Sequence, residues 1–222
     1  MFYSQLGQDL WVLEETNYKK NGFFVDIGCN EPININNTYL LEQKYNWTGI
    51  CIEPLKKLFE KSKKLRSKRT IIDNSLLFSE SGKIVDFKIA GAISGIVETL
   101  DSCHDRKNFT NHQKLETITL NNLLHKYNAP KNIDYISVDT EGSEFEILKN
   151  FNFNNYNVKL FSIEHNFDKE KREKIYNLLK QNNYTRIDQD KQYPYIIKVN
   201  EKWRKKDYKK DKIFEDWYKK ND

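Results

Sequence analysis

At 222 residues the chain suits one α/β domain with a short extension and is long enough to bury a sizeable core, while two full domains would be crowded. Charged residues make up 31% and hydrophobic ones 38%, and no run of about 18 apolar residues occurs, which excludes a membrane-spanning helix. Of the +5 net charge, residues 202–222 carry nine basic against five acidic side chains, so the body is close to neutral and bulk charge argues against a nucleic-acid partner.

Residues 1–13 contain neither a basic leader nor a long apolar stretch, so a soluble, cytoplasmic protein is expected. A first helix is predicted over residues 8–18. Short apolar runs then alternate with helical stretches, the pattern of a mainly parallel sheet covered on both faces. Strands are predicted at 23–27, 49–52, 70–73, 135–138, 160–163, 185–188 and 195–199, and helices at 37–45, 55–65, 120–126, 143–150 and 169–181. Residues 83–90 alternate with the period of a strand after Ser81-Gly82 and read as a hairpin addition. Residues 91–113 read as a long ordered loop or lid, in which His104 and His112 read as solvated loop residues, with contact to a substrate as the alternative, and Ser94-Gly95 could shape the acceptor pocket. The domain is drawn over residues 1–200. Residues 201–222, with Trp203, Tyr208, Ile213, Phe214 and Trp217 among lysines, form a basic, aromatic extension whose last part is expected to be an amphipathic helix docked on its own domain. Cys29, Cys51 and Cys103 are widely spaced and odd in number, and read as reduced structural thiols.

Asp26-Ile27-Gly28-Cys29-Asn30 follows the first apolar strand, and the next helix begins near Thr38. That is where an α/β sheet binds nucleotides. Gly28 lets backbone pass close to a ligand, and Asp26 can hydrogen-bond it. No full Gly-x-Gly-x-x-Gly is present, which lowers the case for NAD or FAD. Glu53 ends the second strand where a carboxylate grips ribose hydroxyls, and Asp73-Asn74 ends the third, where both side chains can read adenine. Adenosine recognition without a triphosphate cradle favours S-adenosylmethionine over ATP.

These segments, with Tyr3-Ser4-Gln5-Leu6-Gly7-Gln8-Asp9 before the first strand, resemble the FkbM family of methyltransferases. Gly22-Phe23-Phe24-Val25-Asp26-Ile27-Gly28, Trp47-Thr48-Gly49-Ile50-Cys51-Ile52-Glu53-Pro54, the run from Ile133 to Glu144 and Leu160-Phe161-Ser162-Ile163-Glu164-His165 fall in the family's order. The resemblance implies a Rossmann-like seven-stranded class I methyltransferase sheet, S-adenosylmethionine as methyl donor, and O-methylation of a sugar, glycan, glycolipid or secondary metabolite. By the same resemblance Gln5 and the Asp26 to Asn30 loop face the methionine part, Glu53 the ribose and Asp73-Asn74 the adenine, with Thr38 joining the cofactor-binding set. Cys29 and Asn30 depart from the small or glycine residues that many methyltransferases carry there.

Methyl transfer from a sulfonium needs alignment and a base for the acceptor hydroxyl. Asp139, Glu141 and Glu144 cluster after the fourth strand and Glu164-His165 ends the fifth. His165 is the expected general base, since imidazole titrates near neutral pH, with Asp139 or Glu141 orienting it or the substrate; Glu144 is expected to start the next helix. A divalent metal held by Asp139, Glu164 and Asn166 is the alternative way to activate the hydroxyl. Two rival functions remain: an RNA ribose 2′-O-methyltransferase using Lys131 or Lys149, and a non-enzymatic binding module on the same fold.

Overall fold

The computed structural model describes residues 2–102, 104–203 and 213–221, so Cys103 and Tyr208 lie outside the described residues. In chain order the elements are α1 (Gln8–Glu15), β1 (Phe23–Ile27), α2 (Tyr39–Tyr45), β2 (Thr48–Ile52), α3 (Lys56–Leu65), β3 (Thr70–Asp73), β4 (Leu76–Leu77), β5 (Ile84–Lys88), β6 (Gly95–Ile96) and β7 (His112–Ile118). There follow α4 (Leu120–Lys126), β8 (Asn132–Val138), α5 (Glu144–Leu148), β9 (Asn157–Glu164), α6 (Lys169–Gln181), β10 (Tyr184–Arg186), α7 (Gln189–Trp203) and β11 (Glu215–Lys220).

Among the described residues the main sheet has seven strands in the order β10-β11-β9-β8-β1-β2-β3. All neighbours run parallel except β11, which lies antiparallel between β9 and β10. This is the Rossmann-like class I methyltransferase sheet expected from the motifs. Side chains alternate across it, as the strand period requires. Val25, Ile27, Ile50 and Ile52 pack with α4, α5 and α6 on one face, while Phe24 and Cys51 pack with α1, α2 and Trp47 on the other. The order in which strands are added reverses at β1, which pairs with β2 on one side and β8 on the other, so the carboxyl edge opens a crevice there.

Two expectations at the C-terminus are corrected. The strand expected at 195–199 lies inside α7, which carries Pro194, and the seventh strand is instead β11, where an amphipathic helix was expected. Lysine-rich flanks and two acidic residues make Glu215–Lys220 look solvated. Within the sheet, however, Glu215 accepts from Gln8 Nε2 at 3.0 Å and Asp216 takes two hydrogen bonds from Arg172 at 2.7 Å each. Trp217 stacks on Trp11 with ring centroids 4.8 Å apart. Beside the main sheet, β4, β7, β5 and β6 form a four-stranded sheet, so β5 is more than a hairpin arm and residues 112–118 form a strand that was not read from the sequence.

Candidate functional site

The carboxyl ends of β1, β2, β8 and β9 meet over the switch point. Gly28, with φ +76°, holds the loop after β1 against the end of β8: a Cβ there would lie 1.8 Å from the carbonyl oxygen of Asp139. Only glycine accommodates both that approach and that backbone region. Glu53, 4% exposed, accepts from the backbone N–H of Asn30 at 2.9 Å and of Leu55 at 2.8 Å. Burial pushes its carboxyl up to about 7 against those two donors.

Three hollows open along this edge. The first, about 610 Å³, is lined by Glu53, Leu55, Leu58, Ser75, Leu76, Leu77 and Ile96. A second, about 1160 Å³ and open to solvent, is lined by Ile35, His104, Glu141, Glu164, Asn166 and Phe167. The third, about 380 Å³, lies among Gln5, Gln8, Asp26, Gly28 and Asn37. Asn30 and Asp139 line all three, so the hollows meet at those two residues.

The structure thus brings Gln5, Asp26, Gly28, Asn30, Glu53, Asp139 and Glu141 together. It does not bring Thr38, Asp73 or Asn74 to the hollows. Asp26 shares the strand face of Phe24, which points to α2. There the buried Thr38 hydroxyl donates to Asp26 Oδ2 at 2.7 Å and accepts from Arg66 Nη2 at 3.0 Å, while Arg66 Nε donates to Glu42 at 2.9 Å. Burial raises the Asp26 carboxyl, the Thr38 and Asn36 hydrogen bonds and the Arg66 charge opposing it. Thr38 therefore belongs to the scaffold behind the crevice. Asp73 accepts from Lys126 Nζ at 2.8 Å and from Ser75 N at 2.7 Å, and although burial works the other way these bonds hold its carboxyl below the usual range. Asn74 Nδ2 donates to the carbonyls of Glu53 and Pro54 at 2.7 and 3.0 Å, clamping the turn after β2. In this structure the polar atoms of both residues hold the fold, and the next residues, Ser75 to Leu77, line the hollow.

The expected base is also displaced. Glu164 faces the second hollow and His165, next along the strand end, faces α6. Its ring is 2% exposed, Nδ1 accepts from Phe167 N at 3.1 Å, and Nε2 has no hydrogen-bond partner, with Asp216 Oδ1 at 3.8 Å. Although Asp216 favours an imidazolium, Arg172 and Arg186 already hold that carboxylate and repel a further cation. Burial dominates, and the ring is pushed down to about 4. His165 lines none of the three hollows.

Carboxylates crowd the second hollow. Glu141, at φ +60°, accepts from Arg106 Nη2 at 2.6 Å, and His104 Nε2 stands 3.6 Å from the same oxygen. Burial raises Asp139, Glu141 and Glu164; mutual repulsion adds to it, and a hydrogen bond with Glu164 works the other way at Asp139. Glu144 starts α5 as expected, and its carboxylate accepts from the N–H of Thr140 and Gly142 at 2.9 and 3.0 Å and from Lys171 at 2.7 Å. That ties the 140–144 turn into shape. Lys149 pairs with Glu146 at 2.6 Å, and neither it nor Lys131 lines the hollows. His112 lies 3.2 Å from Asp86, away from them.

Sequence reasoning missed Arg106, Asp101 and the leucines of the first hollow. Arg106 is 6% exposed in a stretch that reads as a long ordered loop, Leu55 and Leu58 fall in a stretch read only as helix, and Leu76 and Leu77 lie between the expected elements. No helix among the described residues is long and apolar enough to cross a membrane.

The model of the methyltransferase FkbM domain matches residues 26–186. No curated protein matches the chain. Among solved structures, phosphoethanolamine N-methyltransferase 1 of Haemonchus contortus, in complex with phosphoethanolamine and S-adenosylhomocysteine, aligns at 10% identity over 98% of this chain and 41% of that one, with a TM-score of 0.44. The plantazolicin methyltransferase BpumL, in complex with a triazolic desmethylPZN analog and SAH, aligns at 12% identity over 98% of this chain and 83% of that one, with a TM-score of 0.43. The chain therefore spans less than half of the first and most of the second.

Proposed function

As the chain belongs to the FkbM methyltransferase family, we propose that it transfers a methyl group from S-adenosylmethionine to a hydroxyl of a sugar, glycan or secondary metabolite. The observation that carries this reading is the meeting of three hollows at Asn30 and Asp139. One hollow suits an adenosine, one an amino-acid tail and one an acceptor.

The residues present fit the donor. Glu53 spends one lone pair of each oxygen on backbone N–H groups, and a carboxylate has about four acceptor sites, so ribose hydroxyls find acceptors left over. Leu55, Leu58, Leu76 and Leu77 make the apolar walls that a planar base fills. Gln5 and Asn30 offer polar groups to the ammonium and carboxylate of a methionine tail. When bound, S-adenosylmethionine supplies a methyl group on a sulfonium sulfur whose leaving group is neutral. Asp139, at the junction, takes the proton of the acceptor hydroxyl, a role the sequence assigned to His165. Glu141, held by Arg106, orients the acceptor, and His104 stands at the mouth.

Ile35 and Phe167, 46% and 48% exposed, rim the second hollow. An apolar rim around a carboxylate-lined floor suits the face and hydroxyls of a sugar ring. It does not suit a polyanionic strand, which carboxylates repel. The deciding experiment is an acceptor screen with isotopically labelled methyl donor, using sugars, glycolipids, hydroxylated metabolites and RNA side by side. Label on a hydroxyl of a non-nucleotide acceptor supports the reading; label on nitrogen or on RNA ribose alone would sink it.

A further inference from the structure

We propose that Asp101, Glu141 and Glu164 form a binding site for a hard divalent cation, Mg²⁺ or Mn²⁺, at the floor of the second hollow. One carboxylate oxygen from each side chain converges, all within 4.8 Å of one another. An all-oxygen donor set of this kind is what such ions take.

The group is more than a patch of acidity. Glu164 is 4% exposed, its side chain lines the hollow beside Glu141 and Asn166, and among the described residues no N–H or O–H donor reaches its buried Oε2, its carboxyl group meeting the acidic Asp139 instead. A buried carboxylate oxygen left without a donor is costly unless a cation meets it. The surrounding donors hold the other two ligands without serving that atom. Arg106 bridges Asp101 Oδ1 at 3.1 Å and Glu141 Oε2 at 2.6 Å, and Asn166 Nδ2 donates to Asp101 Oδ2 at 2.8 Å. One guanidinium among three carboxylates leaves a surplus of two negative charges when all are ionised, the charge a divalent ion neutralises. For its use in catalysis the inference rests on the hydroxyl-methylation reading: an ion here lowers the pKa of a bound acceptor hydroxyl, and Asp139 on the same hollow takes the proton.

The test strips the full chain with EDTA and titrates it with Mn²⁺ alone, reading free ion by electron paramagnetic resonance. Glu164→Gln keeps the shape and removes the charge; Asp101→Asn provides a second variant, and circular dichroism checks that both fold. Saturable binding is expected in the parent chain, weakened roughly 10-fold or more in each variant. No saturable binding, or equal binding by parent and folded variants, would overturn the site. Calorimetry with S-adenosylhomocysteine on the same stripped protein keeps the two readings apart. Cofactor binding without Mn²⁺ binding sinks the ion alone, whereas Mn²⁺ binding without cofactor binding upholds the ion site and removes the methyl-transfer reading.

Discussion

His165 Nε2 lies 3.8 Å from Asp216 Oδ1, on the α6 side of the sheet edge, while its neighbour Glu164 lines the second hollow. This one alternation puts Glu164 at the hollow and His165 on the other side of the strand end.

His165→Asn is therefore expected to lower kcat by less than 10-fold, against the roughly 10²- to 10⁴-fold that a general base contributes. Its signature is stability. The folded pKa, about 4, lies below the unfolded value of about 6.5, so the unfolded chain binds more protons between them and stability falls as pH falls through that window. Urea unfolding at pH 7.5 and pH 5 should show about 2 kcal/mol of loss from this group, absent in the variant. A loss of activity on the general-base scale with normal folding would restore the catalytic assignment.

Asp139→Asn is expected to leave S-adenosylhomocysteine affinity within a few-fold and to reduce kcat by roughly 10²-fold or more. Single-turnover kinetics with labelled donor, beside calorimetry, measures both. Undiminished turnover would move the base elsewhere.

Glu53→Gln should weaken S-adenosylhomocysteine binding by roughly 10- to 100-fold, the scale of a hydrogen bond to a charged acceptor. Because burial places the Glu53 carboxyl at about 7, it is increasingly protonated below that pH and loses acceptor capacity. Affinity of the parent chain should fall as pH drops from 8 to 6, and the Gln variant should lack that part of the slope. Equal slopes in the two proteins would remove Glu53 from the ribose.

Gly28→Ala forces a Cβ to 1.8 Å from the Asp139 carbonyl at φ +76°. Left-handed strain alone is about 1–3 kcal/mol, and the collision adds to it. Lower thermal stability with cofactor binding abolished is expected; a variant that melts and binds like the parent would mean the loop after β1 is not held as described.

Trp217→Ala should destabilise by about 3–5 kcal/mol, since it removes a fully buried ring stacked on Trp11 from the sheet interior. Chemical denaturation tests this. A change below about 1 kcal/mol would return the C-terminal segment to the status of an appendage.

Much of the sheet was legible because burial on both faces writes largely apolar runs, as in Phe23–Ile27, interrupted by Asp26, and in residues 50–52, ended by Gly28 and Glu53. Those strand ends, together with the family motifs, located the crevice and most of its polar lining. The last strand was not legible. Glu215 and Asp216 are buried by partners far away in the chain, Gln8 and Arg172, and no local pattern announces such pairing.

What the residues determined on their own was the order of elements and the edge at which chemistry sits, since both follow from local periodicity and strand ends. Which side chain faces which space was left to the tertiary structure. His165 turns to α6, Thr38 and Asn74 spend their polar atoms on the scaffold, and Arg106 reaches Glu141 from 35 positions away. The physical reason is that a side chain's role depends on the nearest competing donor or charge, and folding, rather than sequence spacing, decides who that neighbour is.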